Sequence, residues 1–351
     1  MKHNETITKQ SIYKIAARAK VSPATVSRVL NNKENVRSDT RIRIQNIIER
    51  YNFKPRLVKA KTLNIGIVVQ SGSELFGNYL NEVTNGIFDY CIEYNYNLLH
   101  FSLYEKRVHE QGILNILREN RIDGIILLLS NKDSRYILDA EQEKYPYIVM
   151  NNVLPNGETN HIEIDNDEGI RLALQHLFEA GHRNICFLTG DVSSHDHRER
   201  LEAYVKYMKQ SGLFNERYAA DFIRADKYLT SLEQGYRQMK NVIRGQKEIT
   251  AVLANNDDQA IGAIKAMGEN YILVPKDVSI IGFDDYTISS YTNPGLTTIR
   301  QPLFDMGRIA VAKLVTLITG VKKEHIRIKI KPELVVRDSV KKINTGVPVF
   351  S

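Results

Sequence analysis

Seven short apolar runs punctuate the chain from Asn64 onward: NIGIVV (64–69), NLLHFSL (97–103), DGIILLL (123–129), YIVMN (147–151), NICFLTG (184–190), AVLANN (251–256) and VSIIGFDD (278–285). They are near-continuous rather than alternating, and helical segments of about 12–18 residues separate them. A strand that is apolar on both faces must be covered on both, as in a parallel sheet flanked by helices. Seven such strands exceed one comfortable sheet. Residues 153–165, with Pro155-Asn156-Gly157 and no helical period, are therefore expected to cross between two α/β lobes. The tail 297–340 runs TTIRQP, a helix over 304–319, then IRIKIKPELVVRDS, and is expected to return to the first lobe and add an edge strand. The expected body is 64–340, with lobes at about 64–164 plus 297–325 and 165–296 plus 326–340, followed by a tail at 341–351. Two doubly wound lobes leave a cleft, and ligands of such sheets sit at the carboxyl ends of the strands.

The first 53 residues have a different texture. Ile12, Ile15, Ala16 and Ala19 share one helical face, and Lys20-Val21-Ser22 reads as a turn. Ser22 is a good N-cap, and Pro23 stands at the first helical position, where its missing N–H costs nothing. Val26, Val29 and Leu30 then face the first helix. Ser38 can cap a third helix whose Ile44, Ile47, Ile48 and Tyr51 repeat at helical spacing. The pattern is that of a helix-turn-helix, which presents its second helix to the major groove of DNA. Charge supports this: residues 1–61 hold 15 Lys+Arg against 4 Asp+Glu, while the remainder holds 33 against 37. A head of +11 on a body of −4 suits a polyanion. Lys54-Pro55 ends the helical pattern, and 54–63 reads as a basic linker.

These residues resemble the LacI/GalR family of transcriptional regulators over nearly the whole chain. The likeness is carried by VSPATVSRVLNN and NVRSDTRIRI in the head, and by DGIILLL, EAGHRNICFLTG, ANNDDQAIGA, VPKDVSIIGFDD and NPGLTTIRQP in the body. The resemblance implies an N-terminal all-α helix-turn-helix head on an α/β body of two doubly wound parallel-sheet lobes, like the periplasmic sugar-binding proteins. It further implies a homodimer, probing a near-palindromic operator in double-stranded DNA and answering to a small-molecule effector.

In the recognition helix Pro23 and Ala24, next to the capping Ser22, offer only apolar contact, such as with a thymine methyl. By the family pattern they tune operator choice. Arg28 is the residue able to grip a guanine bidentately. Tyr13, Thr25, Ser27 and Asn31 are expected to touch phosphates, which position without specifying, and Asn35 to reach the backbone or a base. The linker departs from the family. Members commonly carry an Ala-Arg-x-Leu hinge helix whose leucine wedges into the minor groove. Here RLVKAKTLN (56–64) is shorter and lacks it, and Leu57 lies too close to Pro55 to match. Lys54, Arg56, Lys59 and Lys61 form either a phosphate-tracking arm or a solvated linker.

For the cleft, the resemblance implies Arg200 and Asp284 as charged ligand contacts, Asn256 as a polar one, Tyr79 as a first-lobe aromatic, and Asn151 where several members carry aspartate. Arg and Asp facing one another suit hydroxyls, each both donor and acceptor, so a sugar or sugar phosphate is expected. A purine needs stacking, for which only Tyr79 and the poorly aligned Tyr228 are available. His195-Asp196-His197 with Glu199 resembles a metal set, but histidines at i, i+2 are more often exposed loop residues. No metal is expected there; Asp196 or Ser194 is expected to bind ligand hydroxyls instead.

No GxSxG elbow, Walker loop or HExxH is present, so neither catalysis nor a cofactor is expected. Cys91 and Cys186 lie in no CxxC pair, no run approaches the ~20 apolar residues of a membrane span, and the first residues carry no secretory h-region; a cytoplasmic setting follows. The C-terminus shows no leucine heptad for tetramer formation. The alternatives are a sugar-binding protein without a regulatory role and an enzyme on the same frame. Replacing Arg28 with alanine is expected to cost ~1–3 kcal/mol of specific DNA binding. Unchanged operator affinity in a gel-shift titration contradicts the assigned docking.

Overall fold

The structure, a computed structural model, describes residues 12–30, 36–50, 64–69, 77–103, 112–128, 135–152, 159–215, 230–245, 248–320 and 324–343. The chain divides into two compact units, residues 1–62 and 63–351.

The first unit holds three helices, α1 (Ile12–Ala19), α2 (Pro23–Leu30) and α3 (Ser38–Arg50). Their shared core is Ile15, Ala16, Ala19, Val26, Val29 and Ile44, the apolar positions that repeat every three or four residues. Ser22 caps α2 as expected: its Oγ accepts from the Thr25 N–H at 3.2 Å. Lys20 takes φ = 50° in the turn that lets α2 fold back on α1. The linker 54–63 lies outside the described residues.

The second unit contains two sheets. The first has the order β10-β5-β4-β3-β1-β2, built from β1 (Asn64–Val69), β2 (Asn97–Ser102), β3 (Gly124–Leu128), β4 (Tyr147–Met150), β5 (His161–Ile164) and β10 (Arg327–Ile330). The second has the order β11-β9-β8-β7-β6, from β6 (Ile185–Leu188), β7 (Ala251–Ala254), β8 (Ser279–Asp284), β9 (Thr297–Arg300) and β11 (Glu333–Val335). Their pairings are parallel except for β11 on β9. All seven apolar runs are strands, buried on both faces as their composition requires; β2, at the sheet edge, is the more exposed exception.

Helices α4 (Asn78–Glu93), α5 (Ile113–Glu119), α6 (Arg135–Gln142) and α11 (Leu303–Ile318) cover the first sheet. Helices α7 (Asn166–Glu179), α8 (His195–Gln210), α9 (Ser231–Arg244) and α10 (Asp257–Gly268) cover the second. The α4–α11 contact is close: a methyl on Gly86 would strike the Phe304 carbonyl, and one on Gly307 the Val83 carbonyl.

The expected lobe boundaries need correction. TTIRQP contributes β9 to the second sheet, paired with β8, rather than returning to the first lobe. Residues 327–330 join the first sheet, beside β5, and only 333–335 join the second. The segment 153–165 is not a bare crossover, since its end is strand β5. The chain therefore passes between sheets three times, after β5, after β9 and after β10. Each misplacement has one cause: strands of four residues or fewer acquire their sheet from distant partners, not from local pattern.

Candidate functional site

In the first sheet the chain runs from β1 outward to β2, then back across β1 to β3, so the direction of winding reverses between β1 and β3. Crevices open at such a reversal, beyond the carboxyl ends of the strands. Val69 and Leu128, the last residues of β1 and β3, line a cleft of about 160 Å³. One ordered water needs only ~10–15 Å³, so this is room for a ligand. Met150 and Asn151 extend its first wall at the end of β4; Asp284, the last residue of β8, with Asn256 and Gln301, just past β7 and β9, forms the facing wall.

All six residues expected at the site line this one cleft: Tyr79, Asn151, Asp196, Arg200, Asn256 and Asp284. Asn78, Ser231, Asp258, Tyr286 and Gln301 line it too without having been expected there, and so does His197, which the sequence offers only as part of a metal set. Gln301 had a signal, its place directly after β9 in TTIRQP; Asp258 and Tyr286 had only adjacency to Asn256 and Asp284. Tyr228 lies outside the described residues. One local expectation changes: residues 195–199 are not a loop but the first turns of α8, with Ser194 at the N-cap.

Arg200 is buried, 3% exposed. Its Nε donates to Asn166 Oδ1 at 2.8 Å and its Nη1 to the Asn255 carbonyl at 2.7 Å, while the guanidinium stacks 3.7 Å from the Phe283 ring centre. Asp284 Oδ1 stands 3.8 Å from Nη1 and accepts from Gln301 Nε2. Burial pushes the Asp284 carboxyl up to about 8, with Arg200 pulling it back only in part, because the guanidinium's short bonds go to neutral oxygens. Burial likewise raises Asp196 to about 6. The Tyr79 phenol is lifted well above its usual range, first by burial and then by Asp196 and Asp284. Its oxygen accepts from Asn151 Nδ2 at 2.9 Å, leaving its proton to donate. Asn256 Oδ1 is engaged in capping α10 through the Gln259 N–H at 2.9 Å.

Three buried atoms on the lining, Asn151 Oδ1, His197 Nδ1 and Gln301 Oε1, have no hydrogen-bond partner among the described residues. Buried polar atoms are rarely left so, and a bound ligand is one standard partner. Asp284 and Asp285 hold φ of 123° and 60°, rare for non-glycine residues and concentrated at functional sites. Asp285 is gripped by Arg300 at 2.7 Å and Arg337 at 2.6 Å, which fixes that turn.

In the head, Arg28 is exposed on α2 and Pro23 and Thr25 are half-buried. Tyr13, Ala24 and Ser27 fall within α1 and α2. Ser22 is occupied with its cap and with Thr25, Oγ to Oγ1 at 2.9 Å. Asn31 and Asn35 lie outside the described residues.

The family model for bacterial regulatory proteins of the lacI family matches residues 11–56, and that for a periplasmic binding protein-like domain matches 174–340. The HTH-type transcriptional repressor PurR of Pasteurella multocida (strain Pm70) is 31% identical over 338 residues, 94% of this chain and 98% of its own. The chain belongs to the LacI family. Catabolite control protein A of Priestia megaterium is 28% identical, over 87% of this chain and 91% of its own. Among solved structures, a Lac repressor dimer bound to operator and the anti-inducer ONPF is similar with a TM-score of 0.74 at 26% identity, covering 95% of this chain and 100% of that one. A transcriptional regulator CelR–cellobiose complex gives 0.71 at 26% identity, covering 94% and 99%. As a LacI-family member the protein is a DNA-binding transcriptional regulator rather than an enzyme. Among the described residues no helix is long and apolar enough to cross a membrane.

The raised Asp284 pKa has a consequence for stability. An unfolded aspartate ionises near 3.8, while the folded one stays protonated to about 8, so between these values the folded state holds the extra proton and stability falls as pH rises. Asp284→Asn, which keeps an acceptor for Gln301, is expected to flatten the fall of Tm between about pH 6.5 and 8 relative to wild type. Parallel pH–Tm curves for the two proteins contradict a raised Asp284.

Proposed function

We propose that the protein is a cytoplasmic, homodimeric repressor that binds a near-palindromic operator through α2 and is controlled by a neutral polyhydroxylated effector, a sugar, in the cleft. The observation that carries the effector assignment is the balance of donors and acceptors. The unpartnered Asn151 Oδ1 and Gln301 Oε1 accept, as do the carboxylates of Asp196 and Asp258, while Asp284, which holds its proton up to about 8, can both accept and donate. Arg200 has already committed Nε and Nη1. The lining also holds donors, the Tyr79 hydroxyl and the protonated Asp284, so sugar hydroxyls, each both donor and acceptor, match it, whereas a phosphate brings acceptors only and a negative charge beside the Asp196 and Asp258 carboxylates. Of the two expectations, sugar and sugar phosphate, the site favours the first. The relative bound to cellobiose supports the same class.

In the head, Pro23, Ala24 and Arg28 read bases, while Tyr13, Ser22, Thr25, Ser27, Asn31 and Asn35 hold the backbone. Ligand in the cleft shifts the population of lobe arrangements, and the affinity of the dimer's two heads for their half-sites shifts with it.

A thermal-shift screen of neutral sugars, sugar phosphates and nucleobases tests the effector class. A neutral sugar at about 100 times its Kd is expected to add about 2.7 kcal/mol of stability, and Asp284→Asn to remove most of it. Stabilisation by sugar phosphates or nucleobases alone contradicts the assignment.

A further inference from the structure

Helix α8 carries His195 and Glu199 four residues apart, so both project from one face of its first turns. That face meets Glu163 on β5, at the first of the three passages between the sheets. His195 Nε2 lies 3.5 Å from Glu163 Oε2 and 3.6 Å from Glu199 Oε1, and the three ligand atoms fall within 4.8 Å of one another. A charge-assisted hydrogen bond would close to ~2.7–2.9 Å. Ligands at ~2.0–2.1 Å from a tetrahedral zinc stand ~3.3–3.4 Å apart, close to the two distances from His195. His195 Nε2 is buried and meets the two carboxylates only at these long distances, and the Glu163 side chain is only 10% exposed.

The remaining oxygens are held from behind. Glu199 Oε2 accepts from Asn166 Nδ2 at 2.9 Å, and Glu163 Oε1 pairs with Lys329 Nζ at 3.5 Å. Each carboxylate therefore turns one oxygen inward, the supporting arrangement that orients metal ligands. We propose that Glu163, His195 and Glu199 bind one divalent transition-metal cation of the zinc class, tying β5 of the first lobe to α8 of the second. One imidazole and two carboxylates select such a cation over a soft one, and three protein ligands leave a fourth position for water. Binding requires His195 to carry its proton on Nδ1, so the 3.4 Å contact from Arg198 Nη2 to that atom gives way.

The site is separate from the effector cleft but joined to it. Asn166 donates to Glu199 and, through Oδ1, accepts from Arg200 Nε. A cation that fixes Glu199 thereby fixes the residue that orients the cleft arginine. The expectation of no metal rested on 195–199 being a loop; the helix replaces His197 with Glu163 as the third ligand.

Equilibrium dialysis of the untagged full chain against Zn2+ with elemental analysis, and Co2+ titration read by its visible absorption, test this without any sugar. One metal per chain is expected. His195→Gln and Glu199→Gln are each expected to lower the affinity by at least about 10–100-fold, with metal-free melting curves recording whether each variant folds. Lys329→Ala, which removes a competing charge without removing a ligand, is expected to retain or tighten binding. Absence of Zn2+ and Co2+ binding to the wild type overturns the proposal and leaves a histidine paired with two carboxylates. Binding that survives unchanged in Glu199→Gln and His195→Gln, or is lost in Lys329→Ala, overturns it equally. Neither result bears on the assignment of the cleft to a sugar.

Discussion

A guanidinium removed from water must be satisfied from every direction, and the second lobe is organised around satisfying that of Arg200. Asn166 comes from the start of α7, the Asn255 carbonyl from the exit of β7, and the Phe283 ring and Asp284 carboxyl from the end of β8. The short bonds go to Asn166 and the Asn255 carbonyl, and losing one of them strips a buried charge of a hydrogen-bond partner, a penalty of about 1–3 kcal/mol or more. Three elements distant in sequence must therefore arrive in register before the site exists. Asp257, fully buried, adds a second tie: its carboxylate accepts from the Tyr286 N–H, Ser289 Oγ and Thr298 Oγ1, holding the turn after β8 against β9. The geometry of Asp284 is thus fixed by packing that involves no ligand, which is how a binding site is preorganised.

The first lobe contributes differently. Its wall is mainly apolar, from Val69, Leu128 and Met150, with Asn78, Tyr79 and Asn151 as the polar points. Contact across the cleft includes the Asn78 Nδ2 to Asp258 Oδ1 bond of 3.1 Å and the packing of Tyr286 among first-sheet core residues. A ligand that bonds to both walls adds to this link directly. Differential contact of that kind is what a population shift between lobe arrangements requires. The chain passes between the sheets three times, and Glu163 and Lys329 sit beside two of these passages.

Much of this was legible in the sequence, and the exceptions have physical reasons. The seven apolar runs declared themselves because strands covered on both faces cannot hide their composition. Asn151, Asn256 and Asp284 fall at strand ends, where chain topology brings them together whatever the intervening sequence; Tyr79, Asp196 and Arg200 stand in the first turns of the helices that meet them there. The strand HIEI (161–164) escaped because its polar residues alternate and it is only four long. The sheet membership of β9, β10 and β11 escaped because parallel partners lie far along the chain, as β10 and β5 do. Glu163 escaped for the same reason: no spacing rule links position 163 to 195. The linker 54–63, expected from its sequence to lack the family's hinge motif, falls outside the described residues.

The central claim is that occupancy of the cleft sets the affinity of the head for DNA. It is tested most directly by fluorescence anisotropy of the full chain on its selected operator, with and without a saturating neutral sugar, in wild type and Asp284→Asn. The account predicts that sugar changes the wild-type operator Kd by at least about 5-fold, the lower end of typical coupling. In Asp284→Asn the unliganded Kd is retained and the response to sugar is lost. An operator Kd unmoved by a sugar that saturates the wild-type cleft, or an equal response in the variant, contradicts it.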